Sequence, residues 1–433
     1  MPFPDGAGED NPRAYLDSLI LHGIKLGLQN ISAMMEASGR PHLSRPVIHV
    51  AGTNGKGSVL AFLASILNAS GYRVGRFTSP HLLDVTERFL LDGVPMPEAA
   101  LRENVAWFQQ VAEATGQVPT FFELNTAMAF RWFDQQKVDV ALIEVGMGGR
   151  FDSTNIVAPL ACAITNIDYD HMQYLGDTLE KIAFEKAGIL KPGVPAVVGV
   201  TNAGAMSVIQ KQARELDAPL FEIDKEYAFS SEGTPWIPEL EYQGLGMHFQ
   251  RMTLGLAGRH QPQNAAIAVS LALLVKKHFD RITGETIREG LRTARWPGRL
   301  ERVLDDPPVI MDAAHNTAGC HTVADAFEEK CVVVFSVSSD KNAAGMIDIL
   351  ARIADPLILT AYQGGRALSL VDLSARAGEH GVLSFPSMKE ALEQGMRLAS
   401  RRKPLLITGS IYGAGEARRI LMDCYGARPV VFR

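Results

Sequence analysis

The sequence predicts an α/β protein in which a mostly parallel sheet is flanked by helices and a second, smaller α/β domain follows. Short apolar runs bounded by turn residues alternate with longer stretches of helical period, as in repeated strand–helix units. The alternation stops at the turn-rich stretch 296–299 and then begins again. A length of 433 residues suits two or three such domains. We therefore predict a first domain at 1–297 and a second at 298–433.

The first domain begins with an apolar run at 47–52, which predicts a strand, and continues with a helical stretch at 58–69. The next predicted strands are 138–145, 160–167 and 196–200, and the predicted helices are 97–114, 124–135, 178–187 and 203–216. Between 227 and 256 the pattern favours short antiparallel strands, which we expect to form an appendage on this domain. Helices at 262–278 and 285–293 complete it.

The second domain repeats the strand–helix alternation. Its predicted strands are 309–312, 331–337, 356–361 and 404–408, and its predicted helices are 318–329, 343–354, 388–400 and 413–425. Strand–helix–strand units of this kind form parallel sheets.

Composition and charge exclude several classes of protein. Hydrophobic residues make up 47% of the chain and charged residues 21%, which excludes collagen and disorder. With 42 basic and 48 acidic side chains and no block of Lys or Arg, the sequence predicts no nucleic-acid or membrane partner. No apolar run approaches the roughly 20 residues needed to span a bilayer, and the stretch 1–13 is unlike a signal peptide. We expect a monomeric, cytoplasmic protein that holds any anionic ligand in a local site.

The four cysteines give no sign of a metal site or a disulfide framework. Cys162, Cys320, Cys331 and Cys424 are far apart and show no C-x-x-C spacing. We expect them to be reduced, small core residues.

The sharpest local signal is His49-Val-Ala-Gly-Thr-Asn-Gly-Lys-Gly-Ser58, a glycine-rich turn between a predicted strand and a predicted helix. Glycines let backbone N–H groups converge on an anion, the helix N-terminus adds positive potential, and Lys56 can reach outer phosphates. The spacing departs from G-x-x-x-x-G-K-[ST], because Gly57 lies between Lys56 and Ser58. The turn predicts a phosphate site of P-loop type, and a tight turn with an exposed lysine is the alternative.

This turn resembles the nucleotide loop of folylpolyglutamate and dihydrofolate synthases, in the Mur ligase superfamily. Further motifs follow in that family's order and approximate spacing: Leu26-Gly-Leu28, Phe77-Thr-Ser-Pro-His-Leu82, Phe122-Glu123, Glu144-Val-Gly-Met-Gly-Gly-Arg150, Asp152-Ser-Thr-Asn155, Asp170-His171, Glu185-Lys-Ala-Gly-Ile189, Trp296-Pro-Gly-Arg-Leu-Glu301, Asp312-Ala-Ala-His-Asn316, Asp340-Lys341 and Thr408-Gly-Ser-Ile-Tyr412. The resemblance covers nearly the whole chain. It implies a P-loop-type central domain that binds ATP and a pterin, followed by a Rossmann-like glutamate ligase domain.

The resemblance also implies the site residues. The nucleotide set is Gly52, Thr53, Asn54, Gly55, Lys56, Gly57, Ser58, Asn264, Arg299 and Asp312, and the catalytic set is Lys56, Lys186 and His315. The pterin set is Gly27, Leu28, Gln29, Thr120, Phe121, Phe122, Glu123, Phe151, Asp152 and Ser153. The implied ligands of Mg²⁺ are Ser79, Glu144 and His171. A carbamylated Lys186 and a monovalent cation such as K⁺ complete what the family implies.

Several of these residues have plainer alternatives when each is considered alone. Those alternatives are a solvated strand-end acid for Glu144, a capping or surface residue for His171, and an exposed ion-pairing lysine for Lys186. For Arg299 the alternative is a surface arginine that packs on Trp296. Phe121, Phe122 and their neighbours in the pterin set have plain core packing as the alternative.

The implied function is ATP-dependent ligation of L-glutamate to dihydropteroate and to folates. ATP converts the inert carboxylate into an acyl phosphate, which the amine of glutamate then attacks, so no protein nucleophile is needed. A monofunctional folylpolyglutamate synthase and a Mur-type amino acid ligase of peptidoglycan synthesis are alternatives within the ligases. A nucleotide-binding regulatory module without chemistry is the alternative from another class. The joint presence of Lys56, Glu144, His171, Arg299 and Asp312 favours an enzyme.

Overall fold

A computed structural model describes residues 11–20, 23, 25, 27–378 and 380–432. Leu26 of the Leu-Gly-Leu motif and the first ten residues of the N-terminal stretch lie outside the described residues. The described chain contains an eight-stranded sheet, a three-stranded sheet and a six-stranded sheet.

The eight-stranded sheet carries the predicted phosphate turn. Its strands are β1 (Val47–Ala51), β2 (Val74–Phe77), β3 (Phe89–Leu91), β4 (Val94–Pro95), β5 (Val140–Glu144), β6 (Ala161–Ile164), β7 (Ala196–Val198) and β8 (Leu220–Glu222). They lie in the order β4-β3-β2-β5-β1-β6-β7-β8. The strands from β2 to β8 in this order run parallel, whereas β3 and β4 form an antiparallel edge. The central position of β1 places the turn that follows it in the middle of the sheet edge.

Helices cover both faces of this sheet. They are α1 (Pro12–Leu19), α2 (Gln29–Ala37), α3 (Lys56–Ala69), α4 (Glu98–Thr115), α5 (Phe121–Gln135), α6 (Met172–Leu175), α7 (Leu179–Ala187), α8 (Ala203–Glu215), α9 (Gln261–Val275) and α10 (Gly284–Thr293). Helices α3 and α9 are almost entirely buried, because α3 lies between the large sheet and helices α9 and α10, and α9 lies between the large sheet and the small one. A helix that is apolar on all sides is typical of such a central position.

The small sheet confirms the expected appendage. Its strands β9 (Tyr227–Thr234), β10 (Ile237–Gly244) and β11 (Met247–Thr253) are antiparallel. One face packs on α9, where the hydroxyl of Tyr242 lies 2.9 Å from Ser270 Oγ. Alternate residues of β10 are buried, as expected for a sheet with one covered face.

The six-stranded sheet belongs to the second half of the chain. Its strands are β12 (Glu301–Asp305), β13 (Pro308–Met311), β14 (Cys331–Phe335), β15 (Ala354–Leu359), β16 (Val382–Ser384) and β17 (Leu405–Thr408), in the order β12-β13-β17-β14-β15-β16. All of its pairs are parallel except that of β12 with β13. Its helices are α11 (Thr317–Ala324), α12 (Ala343–Leu350), α13 (Leu370–Arg376), α14 (Met388–Leu398) and α15 (Ile411–Tyr425).

The two parallel sheets confirm the predicted fold class, and three sequence-based expectations were wrong. The helix predicted at 343–354 ends at Leu350, and Ala354 already belongs to β15. The helix predicted at 318–329 ends at Ala324, because the chain turns so that Phe327 packs edge-on against Trp236 at 5.4 Å between ring centroids. Cys424 is exposed on α15, whereas the other three cysteines are buried as expected, and all four are free. In the described part of the chain, every helix is too short or too polar to cross a membrane.

His49 is a polar residue inside the core of the large sheet. It has 0% exposure, and its Nε2 lies 2.8 Å from Thr154 Oγ1. Because the Thr154 hydroxyl donates to Asp152 Oδ1 at 2.6 Å, it accepts a hydrogen bond from Nε2–H. Nδ1 has no hydrogen-bond partner among the described residues. Burial lowers the pKa of His49 to about 3, so its ring is neutral in the folded protein.

We expect the buried, neutral His49 to make the free energy of unfolding decrease as the pH is lowered. The unfolded chain binds a proton at His49 below about pH 6.5, and the folded protein does so only near its folded pKa of about 3. Acidification therefore favours the unfolded chain between these values. From pH 7 to 5, His49→Val should lose about 2 kcal/mol less unfolding free energy than the wild type. Urea unfolding at the two pH values measures this, and the exposed His321→Val is the control. Equal losses in His49→Val and wild type would contradict the expectation.

Candidate active site

The glycine-rich turn follows β1 at the carboxyl edge of the large sheet, where parallel sheets bind ligands. Gly52 has φ +149° and Gly55 has φ +84°, which side chains other than glycine rarely adopt. A Cβ on Gly52 would lie 1.8 Å from Thr165 Oγ1, and one on Gly55 would lie 2.4 Å from Asn264 Oδ1. Glycine is therefore required at both positions by backbone angle and by space.

Two residues that follow β6 hold the turn in place. Asn54 N donates to Asn166 Oδ1 at 2.8 Å, and Thr165 Oγ1 donates to Asn54 O at 2.6 Å. Thr53 N donates to Asn166 O at 3.1 Å. The amide groups in the first turn of α3 have no partner within the helix, so they are available to an anion. The turn is thus a fixed cradle with positive potential.

Two lysines converge on the carbonyl oxygen of Gly52. Lys56 Nζ donates to this oxygen at 3.0 Å and to Thr53 O at 3.2 Å. Lys186 Nζ, from the last turn of α7, donates to the same Gly52 oxygen at 2.8 Å. Burial and, to a smaller extent, the nearby charge of Lys56 together lower the pKa of Lys186 to about 7. The alternative of Lys186 as an exposed ion-pairing lysine is wrong, because the residue is 5% exposed.

Glu144 ends β5 beside this cradle. It is 5% exposed, and its Oε2 accepts a hydrogen bond from Ser79 N at 3.2 Å, so it is no solvated strand-end acid. Burial raises the pKa of Glu144, while Lys56, the Ser79 amide and Arg299 act in the opposite direction. His171 is exposed and precedes the short helix α6.

The oxygen-bearing side chains of Glu144 and Ser79 suit Mg²⁺, which prefers hard oxygen ligands and is held by few protein groups. Among the described residues, no group of three or more His, Cys, Asp and Glu side chains is placed to hold a metal. The buried carboxylate of Glu144 with the adjacent Ser79 fits an ion that also keeps water and phosphate oxygens. A site with so few protein ligands depends on the nucleotide to complete it.

Arg299 lies between two buried carboxylates, and its charge lowers the pKa of Glu144 and of Asp312 against burial, which raises both. Asp312 accepts hydrogen bonds from Leu300 N at 2.9 Å and Ala314 N at 2.8 Å. The arginine that packs on Trp296 is Arg76, whose Cζ lies 4.7 Å from the ring centroid.

Asp170 joins the two halves of the molecule across the site. Its carboxylate accepts hydrogen bonds from Lys341 Nζ at 2.6 Å and from Asn316 Nδ2 at 3.3 Å. His315 Nε2 lies 3.5 Å from the same carboxylate, and Asn316 Nδ2 also donates to Asn54 Oδ1 at 3.2 Å. Side-chain exposures of 9% for Asp170 and 11% for Lys341 make this a nearly buried ion pair. Despite burial, these cationic and hydrogen-bonding neighbours lower the pKa of Asp170.

The three segments of the pterin set also meet. Helix α2, which begins at Gln29, contacts α5 and the short 3₁₀ helix Ser153–Ile156. Asn30 Nδ2 donates to Glu123 Oε2 at 3.5 Å across the first of these contacts. Phe122 packs beneath Gly146, where a Cβ would lie 2.4 Å from its ring, and Arg88 lies over the Phe121 ring at 5.0 Å. Both rings are half-buried, so neither is a fully buried core residue.

Several polar side chains of the pterin set already form hydrogen bonds within their own loops. Thr120 and Glu123 form a capping box at the start of α5, with Thr120 N donating to Glu123 Oε2 at 2.7 Å. Asp152 accepts hydrogen bonds from Met147 N at 2.8 Å and from Thr154 N at 3.1 Å. These side chains shape the loops, whereas Phe151, which is 39% exposed, remains available to a ligand.

Sequence reasoning missed several residues that hold the site together. Thr165 and Asn166 follow a buried strand, a position where polar residues indicate a ligand edge. Asp170 and Lys341 lie within quoted motifs, but nothing in the sequence shows that they pair across 171 residues. Asn264, in contrast, was expected at the nucleotide and lies against Gly55.

Comparison with protein families gives two matches along the chain. Residues 50–272 match the Mur ligase middle domain, and residues 298–411 match the glutamate ligase domain of Mur ligases. The chain is 37% identical over 425 residues to the dihydrofolate synthase/folylpolyglutamate synthase of Bacillus subtilis, a match that covers 94% of this chain and 98% of that protein. It is 32% identical over 414 residues to the protein of the same name from Escherichia coli, with 94% of each chain covered.

Solved structures show the same similarity. A Mycobacterium tuberculosis folylpolyglutamate synthase complexed with ADP and AMPPCP superimposes with a TM-score of 0.87 and 33% identity, covering 94% of this chain and 97% of that one. Escherichia coli FolC in complex with DHPP and ADP gives a TM-score of 0.87 and 31% identity over 97% of this chain and 99% of that one.

We expect the pair of Asp170 and Lys341 to hold the two halves together. Lys341→Met leaves Asp170 nearly buried without its ammonium partner, which destabilises local structure. Amide hydrogen exchange should become faster by about tenfold or more, about 1.4 kcal/mol, in 165–171 and 338–341. Arg401→Met, which removes an exposed pair with Asp306, is the matched control. Unchanged exchange in both segments would show that the pair does not hold the halves together.

Proposed function

The chain belongs to the dihydrofolate synthase/folylpolyglutamate synthase family of Mur ligases, and we propose that it joins L-glutamate to dihydropteroate and to reduced folates with ATP. The observation that carries this proposal is the convergence of three features at one edge between the sheets. They are the turn 52–58, the buried carboxylate of Glu144, and the pterin segments at 27–29, 120–123 and 151–153.

The turn 52–58 supports a nucleotide site. Its amide groups and the N-terminus of α3 suit the phosphates of ATP, and Lys56 can exchange the carbonyl oxygens it now contacts for phosphate oxygens. Asn264 lies against the turn, while Arg299 and Asp312 approach from the link to the second sheet. Domain closure around ATP would complete the site.

We assign Mg²⁺ to Glu144, Ser79 and His171. When bound, the ion neutralises phosphate charge as the phosphoryl group is transferred. Glu144 supports this assignment most directly, because its carboxylate is a hard oxygen donor at the edge of the sheet where the phosphates would bind. A monovalent cation such as K⁺ is part of the same proposal by family resemblance.

We assign a carbamylated side chain to Lys186. Its amine, with a pKa of about 7, has a substantial neutral fraction at neutral pH, and nucleophilic attack on CO₂ requires that neutral form. The attack forms an N–C bond and releases the nitrogen's proton to water. The resulting anion beside Gly52 and Lys56 would replace a repulsion between two cations by an attraction.

The reaction would proceed in two steps. A carboxylate oxygen of the pterin substrate attacks the terminal phosphorus of ATP and ADP leaves, with Lys56 and Arg299 balancing the charge. The amine of glutamate then attacks the acyl carbon, an amide bond forms, and phosphate leaves. His315 Nδ1 donates to Ala313 O at 3.0 Å, so Nε2 is its basic nitrogen and we assign to it the proton released by the amine.

The pterin ring would lie against Phe121 and Phe122. Half-buried rings beside fixed polar groups suit a flat ligand with a hydrogen-bonding edge. Phe151 would cover the opposite side, with Arg150 Cζ 4.3 Å from its ring centroid. We place this activity in the cytoplasm, where ATP is available and the four free cysteines stay reduced.

Purified protein with ATP, Mg²⁺, L-glutamate and either 7,8-dihydropteroate or tetrahydrofolate tests the function. We expect glutamate-dependent ADP release with both acceptors, and a product heavier by one glutamyl residue. Activity with tetrahydrofolate alone would identify a monofunctional folylpolyglutamate synthase. Release of ADP without either acceptor, or no release with any, would overturn the proposal.

We expect Lys56→Ala to reduce glutamate-dependent ADP release about 100-fold or more, because the cation nearest the phosphate cradle is lost. The matched control is Lys211→Ala, which removes an exposed lysine of α8. Circular dichroism should show that both variants are folded. A near-normal rate in Lys56→Ala would show that the turn does not bind the transferred phosphate.

A further inference from the structure

A fully buried arginine in the second half of the molecule takes no part in the reaction above. Arg418 of α15 is 0% exposed, and its Nε has no hydrogen-bond partner among the described residues. Its Nη1 donates to Met311 Sδ at 3.8 Å, and a thioether is a weak acceptor. Replacement of a buried ion pair by apolar side chains of similar volume often leaves stability unchanged or higher. Stability alone therefore does not explain a charge at this position.

The ion-pair partner of Arg418 is Glu301, the first residue of β12, which directly follows the linker turn, residues 298–300. Arg418 Nη2 donates to Glu301 Oε1 at 2.9 Å and to Pro429 O at 3.3 Å. Glu301 Oε2 accepts a hydrogen bond from Gly298 N at 2.9 Å. One carboxylate therefore binds the buried guanidinium with one oxygen and the backbone of the linker turn with the other.

The linker turn has a strained backbone. Gly298 has φ +66° and Leu300 has φ +43°, and a left-handed backbone is unfavourable for leucine because its Cβ crowds a carbonyl oxygen. Leu300 N donates to Asp312 Oδ2 at 2.9 Å, and Ala313 N donates to Gly298 O at 2.9 Å. Strain of this kind persists only where the surroundings hold it, and it is concentrated at functional sites. The conformation of the turn thus depends on the groups that bind its backbone.

Arg299 lies between these two left-handed residues. Its Nη1 donates to Gly298 O at 2.9 Å, so the side chain contacts the turn that carries it. Its charge acts on Glu144 beside the phosphate cradle and on Asp312. A guanidinium binds phosphate through donors in a rigid fork, and a misplacement of about 1 Å can cost about 100-fold in rate. The direction of Arg299 therefore depends on how its backbone is held.

The linker turn is fixed relative to the phosphate cradle on its other side. Trp296 packs on the first turn of α3, where a Cβ on Gly57 would lie 2.8 Å from Trp296 Nε1. Phe432 packs edge-on against Trp296 with 5.5 Å between ring centroids. The chain thus enters the turn from a residue held against the cradle and leaves it at Glu301. A change at either end alters where Arg299 lies relative to bound phosphates.

We propose that Arg418 and Glu301 are positioning residues, which hold the linker turn in its left-handed conformation and thereby direct Arg299 to the phosphates of the nucleotide. The inference rests on the nucleotide role that the proposed function gives to Arg299. The Glu301 side chain is 24% exposed, so without Arg418 it can turn to solvent. Gly298 N then loses its acceptor, Leu300 can relax to a right-handed backbone, and the Arg299 guanidinium moves away from the cradle.

Calorimetric titration with AMPPCP and Mg²⁺ tests the proposal without the ligation reaction. We expect the Kd of Arg418→Met to be about tenfold higher or more, because Arg299 no longer donates well-aligned charged hydrogen bonds to phosphate oxygens. Arg418→Lys should restore part of the affinity, because its ammonium keeps a cation beside Glu301. Arg302→Met, which removes an exposed arginine of the same strand β12, is the matched control and should stay within twofold of the wild type.

A double-mutant cycle distinguishes positioning of Arg299 from a general loss of structure. We expect Arg299→Ala to raise the Kd for AMPPCP at least as much as Arg418→Met does, and the double variant to bind no more weakly than Arg299→Ala. A merely structural effect of Arg418→Met would weaken binding by the same factor in both backgrounds, which would overturn the proposal. A wild-type Kd in either single variant would overturn it as well.

Glu301→Gln gives the same comparison if circular dichroism shows that Arg418→Met does not fold. Its neutral amide weakens the pair with Arg418 but keeps the size of the half-buried side chain. We expect a Kd between those of the wild type and Arg299→Ala, and no further effect in the Arg299→Ala background. An equal effect in both backgrounds would again contradict the proposal. Because AMPPCP binding does not require glutamate, a wild type that binds AMPPCP but does not use glutamate would overturn the proposed function alone.

Discussion

The structure depends most on the carbonyl oxygen of Gly52, to which both Lys56 and Lys186 donate. Two ammonium groups at one oxygen repel each other, and the low pKa of Lys186 reflects this together with burial. The arrangement is possible because glycine at 52 lets the backbone pass against Thr165 without a side chain. The resulting positive potential raises the free energy of the site when no ligand is bound. The same potential favours binding of a polyphosphate at this edge of the sheet.

The second half of the molecule completes this edge through contacts on two sides of it. The ion pair of Asp170 and Lys341 joins the loop after β6 to the loop after β14, and Asn316 reaches the turn itself at Asn54. On the other side α15 packs on Leu82. Residues from both halves therefore approach the same space, which allows closure to bring an acceptor to a nucleotide-activated acid.

The sequence predicted those parts of the site that are local. The turn after β1 is visible because glycines, a lysine and a following apolar helix are adjacent in the chain. Strand β2 escaped prediction because Gly75 and Arg76 interrupt its apolar pattern, although both are buried. The burial of Lys186 and the pairing of Asp170 with Lys341 also escaped it, because each depends on packing between distant segments. Family resemblance selected Lys186 and Glu144 where residue type alone favoured solvent-exposed roles.

Arg76 is a buried charged residue of the kind that selection for stability alone would not favour. It is 2% exposed, its Nε and Nη1 have no hydrogen-bond partner among the described residues, and burial lowers its pKa to about 9. Arg76 pairs with Leu142 in the neighbouring strand, so Glu144, two residues on, lies on the same face of the sheet. Glu144 is thus surrounded by Arg76, Lys56, Arg299 and Arg88, more cations than one carboxylate can balance. Substrates that bring phosphate and carboxylate groups would relieve this excess, so their binding and the stability of the closed site are coupled through the same charges.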